Sequence, residues 1–172
     1  MPKVAPARSS RDGGFSLVEM MVTIAVLGIA LGIAIPSFRD FVASSKVKNA
    51  AYDLTAMLSQ ARSEATKRNA NVAVELVSGA WSIAAPDVAT GTVILRREAF
   101  SAVTLTCKTG PGCPASGVSW PTGGIIYASN GRLASSVTPA PAIDVTSTET
   151  GLRRCISIEL SGQPRTTTVA CP

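Results

Sequence analysis

The chain has 172 residues, a formal net charge of +5, 46% hydrophobic residues, four cysteines and no histidine. Lack of histidine removes Ser-His-Asp and Cys-His catalysis and most zinc chemistry. The length fits a membrane helix plus one modest globular domain, and mild basicity alone is no nucleic-acid signature.

Residues 1–14 carry Lys3, Arg8 and Arg11 among small, polar and proline residues and read as unstructured. Behind them, residues 17–35 read LVEMMVTIAVLGIALGIAI, with Glu19 as the one ionisable group. At ~1.5 Å per residue, such a helix comes close to crossing ~30 Å of hydrocarbon. The basic residues ahead of it would stay in the cytoplasm, placing the bulk of the chain across the membrane. A secretory signal peptide would need an A-x-A-like site, but Pro36-Ser37-Phe38-Arg39-Asp40-Phe41 follows Ile35. A plain anchor leaves Glu19 unexplained, because a carboxylate in a membrane helix is costly unless paired or interfacial.

Gly28 and Gly32 form a G-x-x-x-G pair, the spacing that lets helices approach closely in lipid; incidental small residues are the competing reading. Together with Pro36 they also weaken the helix locally. Phe38, Phe41, Val42, Ala50, Leu54, Met57 or Leu58, Ala61 and Ala65 then recur at three- and four-residue steps. The pattern predicts one helix from Phe15 to about Arg68, on the order of 80 Å long. Its first half would be membrane-embedded, and its second half amphipathic and packed on a sheet. Asn69 to Asn71 reads as its end.

Short β-like runs follow at 72–77, 81–84, 93–97, 103–107, 125–129, 143–146, 154–160 and 166–171, separated by turn residues. A Pro/Gly-rich loop occupies 109–124, Asn130-Gly131 marks a turn, and 135–141 is Ser/Pro-rich. The expected fold class is α+β: the long helix packed on one carboxy-terminal antiparallel β-sheet domain. Arg96-Arg97 reads as a strand-edge charge pair.

All four cysteines lie beyond the apolar run, and an even count fits disulfides in an oxidising compartment. Cys155 and Cys171 are symmetric about Gln163; a turn there would set them opposite each other within bridging reach. Cys107 and Cys113 would close a small loop. These are the two local pairings among several. A zinc site is the alternative, but the spacings are not those of the usual close ligand pairs. No metal or cofactor is expected. There is no P-loop, dinucleotide fingerprint or activated serine, and the acidic residues are scattered singly, so an enzyme is not expected.

Gly13-Gly14-Phe15-Ser16-Leu17-Val18-Glu19 with its apolar helix resembles the amino-terminal signature of type IV pilins and type II secretion pseudopilins. The resemblance implies a leader, residues 1–14, cut after Gly14 by a prepilin peptidase, with Phe15 then N-methylated. Losing Lys3, Arg8, Arg11 and Asp12 would lower the charge from +5 to +3. Glu19 would pair with a neighbouring subunit's new terminal amine, since a buried carboxylate needs a cationic partner. The order of elements, Tyr127-Ala128-Ser129-Asn130-Gly131-Arg132 and the Cys155 to Cys171 hairpin resemble the GspH/FimT group, which includes FimU-type minor pilins. Residues 15–42 would be the transmembrane and assembly half of the helix, and 43–172 the globular pilin domain.

The implied function is a minor pilin, a structural subunit at the initiation or tip of a type IV pilus. Its partners would be major and minor pilins, the prepilin peptidase and the inner membrane. The precursor would be single-pass with a periplasmic carboxy-terminal domain, later moving to the cell surface. The alternatives are a type II secretion pseudopilin and a FimT-like minor pilin binding double-stranded DNA. Members of that last kind bind through a Gly-Arg-x-Arg hairpin; here the place reads Gly162-Gln163-Pro164-Arg165. Arg153, Arg154 and Arg165 are the candidate phosphate contacts, which would give a shallow log–log salt slope of roughly −2.7.

Overall fold

A computed structural model describes residues 14–86, 91–110, 113, 120–121, 123–134 and 140–171. The leader up to Gly13, most of the 109–124 loop and residues 135–139 of the Ser/Pro-rich stretch lie outside the described residues. One helix, α1, runs Leu17–Arg68. Ser16 caps it: the Ser16 hydroxyl accepts the Glu19 N–H at 3.2 Å, satisfying an orphan donor of the first turn. Asn69, at φ 50°, ends it; the Ala70 N–H reaches the Ala65 carbonyl and closes the last turn.

Two compact units meet within α1, one ending at Arg39 and the other starting at Asp40. Within the first, residues 17–35 of α1 are exposed on every side, and the helix is long and apolar enough to cross a membrane. The helix continues through Pro36 although proline supplies no N–H to the Gly32 carbonyl. Phe38 and Phe41 were expected in the packed stripe but are 66% and 67% exposed, so the buried face starts later. In the second unit that face is Ala43, Val47, Ala50, Ala51, Leu54, Met57, Leu58, Ala61 and Ala65. Three- and four-residue steps keep these on one side.

Eight strands follow: β1 (Val72–Val77), β2 (Ala80–Ala85), β3 (Thr92–Glu98), β4 (Val103–Thr109), β5 (Ile125–Tyr127), β6 (Ala142–Ser147), β7 (Arg153–Ile158) and β8 (Pro164–Thr167). They form the expected antiparallel β-domain, built as two four-stranded sheets ordered β3-β2-β1-β5 and β4-β6-β7-β8. Both sheets contribute to one apolar core with α1, through Val72, Val74, Trp81 and Ile125 from the first and Ile143, Val145, Ile156 and Ile158 from the second. Trp81 meets Trp120 edge-on, with centroids 4.6 Å apart, and the Trp120 indole donates to the Val74 carbonyl at 3.0 Å.

The terminal hairpin is not centred on Gln163. Cys155 pairs with Thr167 and Ile158 with Pro164, which puts the centre at Ser161. The reason is a tight turn: the Glu159 N–H donates to the Gln163 carbonyl, and the Gly162 N–H to the Glu159 carbonyl. Gly162 adopts φ +83°, and a Cβ there would meet the Gly131 carbonyl oxygen and the Tyr127 ring. Only glycine fits both the backbone and the space. Gly162→Ala should therefore cost more than about 1 kcal/mol in urea unfolding.

Tyr127 is fully buried, and its hydroxyl has no partner among the described residues. Burial pushes its pKa well up, against a smaller opposing pull from the Arg62 charge. The stability gained by keeping it neutral is complete below the ordinary tyrosine value of about 10 and is lost as pH rises through the folded value. Tyr127→Phe should leave stability at pH 7 unchanged or higher by up to about 1 kcal/mol, and should flatten the alkaline decline in urea unfolding.

Candidate functional site

Gly14, Phe15 and Ser16 precede α1 in non-helical backbone, and Phe15 is exposed. The peptide bond between Gly14 and Phe15 thus lies outside regular structure. Glu19 sits in the first turn, where a carboxylate is favoured by the helix dipole. The ion pairs among the described residues use other carboxylates, and Glu19 is exposed. Gly28 and Gly32 lie on exposed helix surface, and a Cβ added to either would meet nothing within 4 Å. The cap Ser16 was missed in the sequence, although Ser16-x-x-Glu19 has the spacing of a capping box.

Two disulfides close the second unit. Cys107 bonds Cys113, with Cα atoms 5.3 Å apart, and Cys155 bonds Cys171 at 5.0 Å. Cys171 reaches Cys155 from beyond the end of β8, not as its cross-strand partner. The buried Asp144 on β6 guides this return: it is the register partner of Cys155, and its Oδ1 accepts the Cys171 N–H at 3.0 Å. Asp144, Cys155 and Cys171 place one ligand-type atom each within 4.8 Å of one another. The two sulfurs are bonded to each other, however, and a metal ligand must be a thiolate.

The three candidate DNA-contacting arginines do not converge. Arg165 pairs with Ser157, and Arg153 lies four residues further back along β7, about 13 Å at ~3.3 Å per residue. Strand alternation puts Arg154 on the opposite face, together with Ile156. Arg165 donates from Nε to the Glu159 carboxylate at 2.7 Å. Arg97, on the edge strand β3, pairs with Asp53 of α1 at 3.4 Å.

Residues 50–162, about two thirds of the chain, match the GspH family, described as type II transport protein GspH. The chain belongs to the GspH family. Residues 9–35 match the prokaryotic N-terminal methylation motif. A fimbrial protein of Pseudomonas aeruginosa is 38% identical over 50 residues, 29% of this chain and 32% of that one. The type IV major pilin protein PilA of Myxococcus xanthus is 42% identical over 53 residues, 31% of this chain and 24% of that one. The chain thus spans about a third of the first relative's length and a quarter of the second's.

Among solved structures, the type IV minor pilin FimU of Pseudomonas aeruginosa aligns at TM-score 0.52 and 24% identity, covering 76% of this chain and 92% of that one. GspH of Escherichia coli aligns at TM-score 0.53 and 15% identity, covering 76% and 93%. The minor pseudopilin EpsH of the Vibrio cholerae type 2 secretion system gives 0.51 and 11%, covering 72% and 97%. At these identities the likeness is one of fold. This GspH-family chain is a pilin- or pseudopilin-like protein.

The two bridges close loops of different length, with sequence separations of 6 and 16. Chain entropy makes the longer loop the more stabilising. The pair Cys155→Ala/Cys171→Ala should lose about 3 kcal/mol, roughly 1 kcal/mol more than Cys107→Ala/Cys113→Ala, by urea unfolding without reductant.

Proposed function

We propose that the chain is a minor pilin of a type IV pilus, made as a single-pass inner-membrane precursor. A prepilin peptidase on the cytoplasmic side cuts after Gly14 and frees Phe15, which is then N-methylated. Residues 15–42 serve membrane residence and filament assembly, and 43–172 form the globular domain, periplasmic before assembly. The observation that carries this reading is α1 itself: apolar and exposed around Glu19, and buried on one face beyond Asp40. Lys3, Arg8 and Arg11 ahead of the apolar run support the orientation.

In the filament, Glu19 pairs with the terminal amine of a neighbouring subunit and sets axial register. Its partners are major and minor pilins. The role is structural, and it calls on no cofactor or metal. Separation of Arg153, Arg154 and Arg165 favours this role over DNA reception. A second reading, a pseudopilin of a type II secretion system, is favoured by the match of residues 50–162 to type II transport protein GspH. The two readings share processing and assembly chemistry and differ in destination.

Glu19→Ala should be cleaved normally yet reach filaments several-fold less well, measured as the processed chain in envelope and filament fractions. Normal incorporation of that variant would contradict the pairing role. Gly14→Val should keep the precursor mass; a processed mass would overturn the leader assignment.

A further inference from the structure

A groove of about 530 Å³ lies between the second half of α1 and the two turns that carry Asn130-Gly131 and Gln163-Pro164. That volume is within the range of ligand sites, ~300–1,000 Å³. On the helix side, Ser59, Arg62, Ser63 and Thr66 recur at three- and four-residue steps and share one face. Arg62 ties the helix to the first turn by donating from Nε to the Gly131 carbonyl at 2.9 Å. Gly162 brings the second turn against that same carbonyl. The groove is therefore a fixed product of two turns meeting one helix.

Its lining is donor-rich. With Nε engaged, the two terminal nitrogens of Arg62 have no partner among the described residues, and they form a planar fork. The Asn130 side-chain oxygen accepts the Arg132 N–H at 3.0 Å, which leaves its amide nitrogen as the uncommitted group. Lys67 adds a second cation. Its partner Glu64 is shared with Arg68 and does not line the groove, and no lining residue is a carboxylate. A guanidinium fork beside neutral donors matches a two-oxygen planar anion, which is the geometry of a carboxylate.

We infer that this groove binds a carboxylate-bearing peptide segment of a neighbouring subunit. The inference rests on the proposed filament role for its partner, and on the groove itself for its chemistry. A nucleic acid fits less well. The next cation on the hairpin, Arg165, is engaged by Glu159 at 2.7 Å, so no basic stripe continues from the groove along β8 for a duplex backbone to follow.

The test is an NMR titration of the full-length chain in detergent micelles with capped tetraglutamate, capped tetraglutamine and a short DNA duplex. Tetraglutamate should shift the Arg62 and Asn130 side-chain signals saturably and bind roughly tenfold more tightly than tetraglutamine. Arg62→Gln and Ser63→Glu should both abolish that preference, whereas Arg165→Gln should not. Ser63→Glu fills the groove with a like charge without breaking the Arg62 to Gly131 bond, so it separates lost binding from lost fold. Equal binding of tetraglutamine, or a preference that survives Ser63→Glu, would overturn the proposal. Tighter binding of the duplex at the same residues would replace it with a nucleic-acid site. A chain recovered from filaments beginning at Phe15 but indifferent to tetraglutamate would sink the groove assignment alone. One that binds tetraglutamate yet is missing from filaments that hold the other pilins would sink the filament role alone.

Discussion

The one buried face of α1, sharing a core with both sheets, is the constraint on which the globular unit depends. Ala43, Ala50, Ala51, Ala61 and Ala65 are buried on that face beside Val47, and Leu54, Met57 and Leu58 supply its largest side chains. Burying this face against both sheets removes apolar surface from water and adds many weak dispersion contacts. It also brings polar groups within reach across the interface. Thr55 and Thr166 hydroxyls lie 2.9 Å apart, and Arg62 reaches Gly131 at the same distance. Larger side chains on this face would separate both pairs. The exposed ion pairs, Lys46 to Glu149 and Arg97 to Asp53, are each worth only about 0–1 kcal/mol and are secondary to this packing.

The carboxy-terminal end is held by a different arrangement. Sheet order puts β8 at an edge, beside β7. Beyond Thr167 the chain leaves the sheet, and Asp144 and Cys155 draw Cys171 back onto it. A buried carboxylate accepting a backbone N–H and a covalent bridge thus act on the same residue. Together they stop the last strand from fraying, the usual fate of an unanchored terminus.

Much of this was legible in the sequence. The helix expected from Phe15 to about Arg68 is Leu17–Arg68, and β-branched runs located seven strands closely, whereas the last, expected at 166–171, is Pro164–Thr167. The periodicity could not say where exposed apolar residues give way to core, because Phe38 and Phe41 are as apolar as core residues and in phase with them. Nor could it divide eight strands into two sheets, since pairing is set by partners distant in sequence. The cysteine symmetry about Gln163 pointed to a hairpin centred there. The turn is instead decided by Gly162, the residue that can take φ +83° against Gly131. The groove was illegible for the same reason: Arg62, Asn130 and Gln163 come together only when two turns meet one helix.

One helix serving two surroundings, exposed apolar surface to Arg39 and a one-sided buried face from Asp40, is what a filament subunit drawn from a membrane requires. The most direct test is mass spectrometry of surface filaments sheared from the native cells. The account predicts a peptide that begins at N-methylated Phe15. A chain in those filaments that still carries residues 1–14 would contradict it.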